Sequence, residues 1–288
     1  MSPLAAATAR LAAAGVPSPH HDAEALTAHV LGCTRVELLT RDVPAVLPAL
    51  DALIARRAAR EPLQHLLGST GFRHLELLVG PGVFTPRPET EVLVGLVLPR
   101  CGPGVRLVDL GSGSGAIALA VAQEAPGTQV HAVERADAAR EWLQRNVAAT
   151  GLPVTVHAGD LRSWALGPGA HDRVDIVVSN PPYVPEGAPV DPEVAYDPPA
   201  AVWGGPDGLA GPLAVAAAAL RLLRPGGLLA VEHDSSHAAE YATALEQAGW
   251  ATVTGHRDLA GRARCTTATR AADECGLRTA PPGERGGR

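Results

Sequence analysis

The sequence predicts an α/β fold in which a small all-helical domain precedes a doubly wound, mostly parallel sheet. Two observations predict it. From residue 105 onward, apolar strand-like runs alternate with helical segments, which is the pattern of parallel strands joined by crossover helices. Before about residue 68, the segments are helical instead. We therefore expect a helical domain over residues 1–70, a hairpin linker over 71–88, a larger α/β domain over 89–271 and a disordered tail over 272–288.

The first part of the chain contains helical segments, of which the first two end at Gly15 and Gly32. Glycine often follows a helix because it takes a left-handed backbone without strain. Arg56, Arg57 and Arg60 lie near the end of the last segment, where cations suit the helix dipole. This arginine cluster is either a solvated helix end or a contact for a partner or for RNA. The helical segments are 4–14, 22–31, 36–40 and 48–60.

A hairpin is predicted to join the helical part to the rest of the chain. Residues 71–79 alternate partly between apolar and polar side chains, and a glycine-rich stretch at 80–82 follows them. Pro86 and Pro88 then lead into acidic residues and an apolar run, which is how a helix begins. We expect that helix over residues 92–98.

The sheet is expected to contain parallel strands and to end in an antiparallel pair, 251–256 with 265–270. Beyond residue 271 the chain is rich in Arg, Gly, Pro and Glu, a composition typical of disorder. The predicted parallel strands are 105–110, 129–134, 154–158, 174–179 and 228–232, and the helices are 115–125, 136–150, 213–223 and 238–248.

The bulk composition argues against several classes of protein. The formal net charge is −6, whereas a dedicated duplex-DNA binder usually carries a basic surface. The 4 cysteines lie far apart, which indicates neither a zinc site nor a disulfide framework. No run approaches the roughly 18 apolar residues of a membrane span. We therefore expect a cytoplasmic protein with no metal, no membrane contact and no direct nucleic-acid partner.

A glycine-rich turn closes the first predicted strand and opens a helix. Its spacing is G-x-G-x-G, which differs from the G-x-G-x-x-G of dinucleotide sites. This spacing favours S-adenosylmethionine, because the methionyl group needs the short-range polar partners that Asp109 and N–H groups at a helix start can offer. A tight strand–helix connection is the alternative. The glycine turn comprises Asp109, Leu110, Gly111, Ser112 and Gly113.

The next two predicted strands also end in polar residues. Glu134 ends the second strand, about twenty residues beyond the glycines, where a carboxylate can accept both ribose hydroxyls of a cofactor. Asp160 follows the third strand and can accept from an adenine amino group, while Leu161 offers an apolar wall. Asp160 can alternatively cap a helix. Together with the glycine turn, these residues predict the Rossmann-like fold of a class I S-adenosylmethionine-dependent methyltransferase.

Asn180, Pro181, Pro182 and Tyr183, here named the N-P-P-Y turn, follow the buried strand 174–179. Open α/β sheets bind ligands at this end of their strands. The two prolines fix a rigid turn and cannot donate backbone hydrogen bonds. The Asn180 side-chain oxygen and the Pro181 carbonyl can then accept both N–H bonds of a flat NH₂ group, on which Tyr183 can stack. We therefore expect Asn180, Pro181 and Tyr183 to be catalytic, all four residues to bind substrate, and Asn180 to border the cofactor.

The glycine turn and the N-P-P-Y turn, in this order, resemble those of amino-methyltransferases that act on planar nitrogens. The stretch 71–91, which contains R-P-E-T-E at residues 87–91, closely resembles the segment that leads into the catalytic domain of the PrmC/HemK release-factor glutamine methyltransferases. Residues 60–65, 204–209 and 223–227 are also similar to that family. The resemblance covers nearly the whole chain, from the helical region to about residue 270.

The resemblance implies a substrate and a reaction. This family methylates the side-chain amide nitrogen of the glutamine in the Gly-Gly-Gln loop of class I peptide chain release factors. S-adenosylmethionine is the donor and S-adenosylhomocysteine the product. The resemblance implies cofactor roles for residues 109–113 and Glu134, a substrate role for Asn180, and recognition of the release factor by the helical domain. Phe84 and Pro86 are expected to border the cofactor.

The chain also departs from the family pattern at four places, one of which is Cys265, where a larger apolar residue is more usual. Glu232 is followed by His233 and Asp234, where the family has an apolar residue and Gly. Trp164 stands three residues beyond the position near Leu161 where the family often has an aromatic residue. A small insertion is expected at residues 167–169.

Three alternatives remain from the sequence. A ribosomal-protein glutamine methyltransferase shares the N-P-P-Y turn, but the R-P-E-T-E stretch and the short helical domain favour a release factor as substrate. A nucleic-acid adenine methyltransferase would meet a similar NH₂ group on a flipped base, but would need a target-recognition region and a basic groove. A non-catalytic binding module would not be expected to keep the glycine turn, Glu134 and Asn180 intact.

Overall fold

The structure is a computed structural model that describes residues 2–41, 43–44, 47–164 and 174–272. The insertion expected at residues 167–169 lies outside this part of the chain, and so does the expected disordered tail beyond residue 272. Within the described residues, no helix is long and apolar enough to cross a membrane.

The N-terminal part is helical, as predicted, and has a core of its own. A proline in the first turn begins each of the three longer helices, where its missing N–H group costs no hydrogen bond. Each helix contributes at least one buried apolar side chain to this core, among them Leu11, Leu26, Ile54 and Leu66. The helices are α1 (Pro3–Ala13), α2 (Pro19–Leu31), α3 (Pro48–Ala58) and the short α4 (Leu63–Leu67).

Two details of this part differ from the prediction. The helix expected at residues 36–40 is only a 3₁₀ turn, Glu37–Leu39, in which the Thr34 hydroxyl accepts from the Glu37 N–H group. Helix α4 was not predicted, because five residues carry too little periodicity to indicate a helix.

The predicted hairpin is present and packs against the sheet. Strands β1 (Ser69–Phe72) and β2 (Leu75–Leu78) pair in antiparallel fashion. Phe72 and Leu77 are fully buried in the same core as the central strands. The Asn146 side chain bonds both backbone groups of Leu78 and also donates to the Ser114 carbonyl, so it joins the hairpin to the end of the glycine turn.

A mixed sheet of seven strands forms the larger part of the structure, in the order β5-β4-β3-β6-β7-β9-β8. The first five strands of that order are mutually parallel. Strand β9 runs antiparallel to both of its neighbours, β7 and β8. The strands are β3 (Arg106–Leu110), β4 (Gln129–Glu134), β5 (Val154–Ala158), β6 (Val174–Ser179), β7 (Leu223–Glu232), β8 (Trp250–Arg257) and β9 (Ala263–Arg270). The helices are α5 (Thr90–Val97), α6 (Ala116–Glu124), α7 (Asp137–Thr150), α8 (Pro199–Val202), α9 (Ala210–Leu222) and α10 (Ala238–Gln247).

Both faces of the sheet are covered by helices, because successive side chains of a strand point to opposite faces. Leu107 of β3 packs in a core with α5, α6 and α7, whereas the next residue, Val108, packs in a second core with α9 and α10. Alanine-rich helices such as α6 bury small side chains in the first of these cores, which contains few aromatic residues because they make up only 3% of the chain. The doubly wound fold is therefore confirmed.

Strand β7 is longer than predicted. It begins at Leu223, which pairs with Val174, and a register shift separates this pair from the next, Ile176 with Leu228. Pro225 cannot continue the preceding helix, so the chain leaves α9 and joins the sheet at once. By contrast, the bounds of β4, β5 and β6 were predicted to the residue, and the antiparallel pair at the end of the chain is confirmed.

Arg57 and Arg60 of the arginine cluster are bound within the protein, whereas Arg56 is exposed at the helix end, as expected of a solvated end. The contact with a partner or RNA stays a prediction. Arg57 is only 5% exposed, and it bonds Asp22 at 2.8 Å and Glu193 at 2.9 Å. Arg60 bonds the other oxygen of Glu193 at 2.6 Å. Burial alone would raise the pKa of Glu193, but the hydrogen bonds from Arg60 and Arg57 lower it to about 2. The cluster therefore ties the helical domain to the 3₁₀ turn Pro192–Tyr196, beyond the N-P-P-Y turn.

The order of the strands places the two predicted sites side by side. The chain proceeds from β3 to β4 on one side and returns to β6 on the other, so a crevice opens at the carboxyl ends of β3 and β6. The Ser179 hydroxyl at the end of β6 donates to the Leu110 carbonyl at the end of β3, at 2.6 Å. This bond fixes the N-P-P-Y turn beside the glycine turn.

Glycines support the N-P-P-Y turn from below. A methyl group on Gly211 would lie 2.2 Å from the Pro182 carbonyl oxygen, and one on Gly208 would lie 2.3 Å from the Tyr183 carbonyl oxygen. Gly208 also has a φ of +79°, which other residues rarely adopt. A methyl group on Gly204 would lie 2.7 Å from the Pro182 carbonyl oxygen. The stretch around residues 204–209, which resembles the family in sequence, is therefore a surface of bare backbone on which the turn lies.

Replacing Gly211 by Ala is expected to displace the N-P-P-Y turn, since the new methyl group cannot coexist with the Pro182 carbonyl. We expect the free energy of unfolding to fall by about 1–3 kcal/mol, the usual cost of overpacking. Thermal unfolding measures it. Gly95→Ala is the matched control, because Gly95 also lies in a helix and has no atom within 4 Å of the added carbon. Equal stability of the two variants would contradict the packing described here.

Candidate active site

A large cavity of about 920 Å³ opens at the carboxyl edge of the sheet. Its wall includes residues of the helical domain, such as His21 and Gln64, as well as residues of the sheet. Phe84 and Pro86 also line it. Of the residues predicted for the site, the structure brings these together around the cavity: Gly111, Ser112, Gly113, Glu134, Asp160, Leu161, Asn180, Pro181, Pro182 and Tyr183.

Glu134 holds the glycine turn in place. Gly111 and Gly113 have φ values of 76° and 55°, a left-handed backbone that glycine adopts without strain. The Gly113 N–H group donates to Glu134 Oε2 at 2.9 Å, and the Ala136 N–H group donates to Glu134 Oε1 at 2.8 Å. A carboxylate has about four acceptor sites, so two backbone donors leave capacity for the hydroxyl groups of a ligand.

Asp109 and Leu110 do not line the cavity, because both are fully buried below the glycine turn. Burial raises the pKa of Asp109 to about 7, although the Ser112 hydroxyl and the Ala118 N–H group oppose the shift. Neither carboxylate oxygen has a partner of normal hydrogen-bond geometry among the described residues. A buried acid without a partner is costly, and a positively charged ligand above the turn would offset that cost.

Asp160 is already engaged within the protein. Its Oδ1 accepts from the Arg162 N–H group at 2.8 Å, and its Oδ2 pairs with Arg135 at 3.0 Å. The backbone bond from Arg162 and the pairing with Arg135 lower the pKa of Asp160, so the group stays charged. It thus caps a turn, close to the alternative considered from the sequence, while one side of it still borders the cavity.

Leu161 and Trp164 form apolar surfaces next to Asp160. Leu161 lines the cavity and lies against Gly111. Trp164 packs over Gly159, at which even a methyl group would lie 2.6 Å from the indole ring. Its ring centroid is 4.9 Å from that of His157 on β5. The apolar wall expected at Leu161 is therefore present, and Trp164 supports the chain behind it.

Two acceptors of the N-P-P-Y turn have no donor among the described residues. Asn180 Nδ2 donates to the Thr90 hydroxyl at 3.1 Å. In the described part of the chain, nothing donates to Asn180 Oδ1 or to the Pro181 carbonyl, and both residues line the cavity. The turn therefore carries two acceptors for a ligand with two N–H bonds.

Tyr183 is tied to Glu232 behind the turn. Its hydroxyl donates to Glu232 Oε1 at 2.9 Å, and the Arg264 guanidinium lies 5.7 Å from its ring centroid. Burial, followed by the nearby Glu232 charge, raises the pKa of Tyr183, so it remains a phenol. Tyr183 also lines the cavity. Its expected stacking on a planar substrate group remains a prediction.

Two residues of this network were missed when the sequence was considered alone. Thr90 lies in the R-P-E-T-E stretch, where it was noted only as part of a resemblance. Glu232 was noted only as a strand end. No spacing rule connects them to Asn180, because they lie far from it along the chain. The sequence does show a polar residue at the start of a helix (Thr90) and another at the end of a buried strand (Glu232), and this pair could have been taken as a candidate for the site.

The site offers two hydrogen-bond acceptors on the rigid N-P-P-Y turn. Across the residues that the structure describes, no group of three or more His, Cys, Asp or Glu side chains is arranged to hold a metal ion. The available chemistry is the orientation of an NH₂ group by Asn180 and Pro181, next to a glycine turn that has negative charge beneath and beside it.

Comparison with solved structures supports the fold. A methyltransferase from Pyrococcus furiosus superposes with a TM-score of 0.55 at 18% identity, over 76% of this chain and 99% of that one. The T. thermophilus 16S rRNA N2 G1207 methyltransferase superposes with a TM-score of 0.50 at 22% identity, over 70% of this chain and 49% of that one. At these identities, the likeness concerns the fold alone.

Sequence comparisons identify the family. Residues 3–68 match the model of the PrmC N-terminal domain, and residues 75–196 match that of the methyltransferase small domain. The release factor glutamine methyltransferase of Mycolicibacterium smegmatis is 50% identical over 277 residues, which cover 93% of this chain and 97% of the relative. The Streptomyces coelicolor protein of the same name is 46% identical over 283 residues, covering 94% and 98%. The chain therefore belongs to the family of release factor glutamine methyltransferases.

Proposed function

We propose that the protein transfers a methyl group from S-adenosylmethionine to the side-chain amide nitrogen of the glutamine in the Gly-Gly-Gln loop of class I peptide chain release factors. The observation that carries this proposal is the pair of unoccupied acceptors, Asn180 Oδ1 and the Pro181 carbonyl, at the wall of the cavity. A primary amide nitrogen has two N–H bonds in one plane, which such a pair can hold.

The residues around the glycine turn fit the methyl donor. Glu134 would accept the ribose hydroxyls, and Leu161 would form the apolar wall beside the adenine, with the Asp160 carboxylate at its edge. The buried Asp109 carboxylate below the turn favours the positive charge of the ligand. When bound, the donor would supply an electrophilic methyl group on a sulfonium; the products would be S-adenosylhomocysteine, the N-methylated amide and one proton released from the nitrogen.

Asn180 and Pro181 would act on the acceptor nitrogen. The lone pair of an amide nitrogen is delocalised, so this nitrogen is a weak nucleophile. Hydrogen bonds from both its N–H groups to Asn180 Oδ1 and the Pro181 carbonyl fix its orientation, and they offset the positive charge that develops during transfer. Pro182 makes the turn rigid, and Tyr183 supplies a flat surface for the planar amide.

The helical domain would recognise the release factor. Residues of this domain line the same cavity as the N-P-P-Y turn. The ion pairs of Glu193 with Arg57 and Arg60 join the helical domain to the segment that follows the turn. A protein loop that enters the cavity would therefore meet both domains. Because the substrate is a translation factor, we place the reaction in the cytoplasm.

Incubation with labelled S-adenosylmethionine and a class I release factor is expected to label the factor, and to leave a factor with Ala in place of the loop glutamine unlabelled. Mass spectrometry of the digested product should locate the methyl group on that glutamine. Equal labelling of both factors would overturn the assigned substrate. Labelling of ribosomal protein alone or of DNA alone would favour one of the two other methyltransferase activities considered above.

Asn180→Ala is expected to lower kcat by about 10²- to 10³-fold, the usual effect of removing one charge-stabilising hydrogen bond from a transition state. Binding of the cofactor, measured by calorimetry, should change little, because Glu134 and the glycine turn are untouched. Full activity of this variant would refute the role given to Asn180.

Glu134→Gln is expected to show the opposite pattern. Hydrogen bonds to a charged group contribute about 1.5–3 kcal/mol, so the dissociation constant of S-adenosylmethionine should rise by about 10- to 100-fold. At saturating cofactor, kcat should stay near its normal value. An unchanged dissociation constant would show that Glu134 does not hold the ribose.

A further inference from the structure

The two ends of the Asn180 amide have the same shape but opposite chemistry. Its oxygen accepts hydrogen bonds, whereas its NH₂ group donates them. An asparagine that turned its NH₂ group toward the cavity would repel an incoming NH₂ group, and only the other orientation binds it. Activity therefore depends on whichever residue decides how the Asn180 amide is turned.

Thr90 is the residue in contact with the other end of that amide. It is the first residue of α5, it is only 3% exposed, and its hydroxyl accepts from Asn180 Nδ2 at 3.1 Å. A hydroxyl has one proton and two lone pairs, so it can either accept from the NH₂ group or donate to the amide oxygen. The direction of the Thr90 proton therefore sets the orientation of the Asn180 side chain.

Glu232 is the buried acid on which the Thr90 hydroxyl acts. Its carboxylate is fully buried, and its Oε2 has no partner of normal hydrogen-bond geometry among the described residues. Both the Thr90 and the Tyr183 hydroxyls lie close enough to oppose the rise in the pKa of Glu232 that burial causes. An ionised carboxylate only accepts, so it draws the Thr90 proton toward itself and leaves the lone pairs of the hydroxyl facing Asn180.

We propose that Thr90 is a positioning residue: anchored by Glu232, it fixes the Asn180 amide with its oxygen toward the substrate nitrogen. This inference rests on the proposed role of Asn180 as the acceptor of the substrate N–H group. It adds to that role a proposed relay from Asn180 through Thr90 to Glu232. The relay includes the Asn180–Thr90 and Tyr183–Glu232 hydrogen bonds, and Thr90 lies near enough to act on Glu232 without a hydrogen bond of normal geometry between them. With Asn180 Nδ2 held by Thr90, the amide oxygen of Asn180 is the end that meets the substrate. This oxygen accepts an N–H group, so the site favours the amide nitrogen of the substrate over its carbonyl oxygen.

Thr90→Val and Thr90→Ser test the proposal as a pair. Valine keeps the shape of threonine but loses the hydroxyl, whereas serine keeps the hydroxyl but loses a buried methyl group. We expect Thr90→Val to lower kcat by about tenfold or more, with KM for the release factor and cofactor affinity within about twofold of normal. Thr90→Ser should restore most of kcat. Thermal unfolding of both variants should show a folded protein.

A purely structural role for Thr90 would give the reverse order, since the loss of a packed methyl group would make serine the worse variant. That order, or full activity of Thr90→Val, would overturn the proposal. Failure of the proposed function gives a different result, because Asn180→Ala would then be active. If Asn180→Ala is inactive while Thr90→Val is normal, only the positioning role is wrong.

The pH dependence of kcat tests the Glu232 end of the relay. Burial raises the pKa of Glu232 to about 7. Its carboxylate therefore forms as the pH rises through 7, and kcat at saturating substrates should rise with it. The titratable or charged groups that face Glu232 are Tyr183, Arg264, Cys265 and Glu89.

Glu232→Gln is the matched variant, because it keeps the shape of the side chain and cannot ionise. We expect this variant to have a lower kcat that no longer rises between about pH 6 and 8. Asp109 also has a pKa near 7, but it is unaltered in this variant, so a rise that persists belongs to Asp109 or another group. A pH profile that is the same for both proteins would remove Glu232 from the relay.

Discussion

The close contact between the N-P-P-Y turn and the bare backbone of Gly204, Gly208 and Gly211 is the constraint on which the rest of the site depends. Two prolines make the shape of the turn rigid, but they do not fix its position relative to the sheet. Its place is fixed by these glycines from below and by the bond from Ser179 to the Leu110 carbonyl at its start. With the turn held in this way, its free acceptors keep a constant distance from the glycine turn, and methyl transfer requires that geometry.

Much of the fold and the outline of the site could be predicted from the sequence, because the informative residues follow apolar runs directly. The glycine turn, Glu134 and the N-P-P-Y turn each end a strand, and parallel strands bring such ends to one edge. The rest depends on contacts between distant positions. Thr90 meets Asn180 across 90 residues and Arg57 meets Glu193 across 136, which no local pattern indicates. Asp109 matched the expected position, but only the structure places it below the turn and out of the cavity.

Two buried acids, Asp109 and Glu232, place a cost on the fold. Burial raises the pKa of each to about 7, above its ordinary value. Acids shifted in this direction stabilise the folded chain below their unfolded pKa, near 4, and this contribution is lost as the pH rises through 7. At neutral pH and above, the charged forms of these two buried acids therefore lower the free energy of unfolding. Asp109 lies below the glycine turn and Glu232 behind the N-P-P-Y turn, where the proposed mechanism would use their charge on the cofactor and on Asn180.

The most direct measurement is a crystal structure of the protein with S-adenosylhomocysteine and a peptide that contains the Gly-Gly-Gln loop. The account predicts that the glutamine amide nitrogen lies about 2.7–3.2 Å from both Asn180 Oδ1 and the Pro181 carbonyl oxygen, with Asn180 Nδ2 still directed to Thr90. A glutamine whose carbonyl oxygen is bound by Asn180 Nδ2, or whose amide nitrogen lies away from the N-P-P-Y turn, would contradict it.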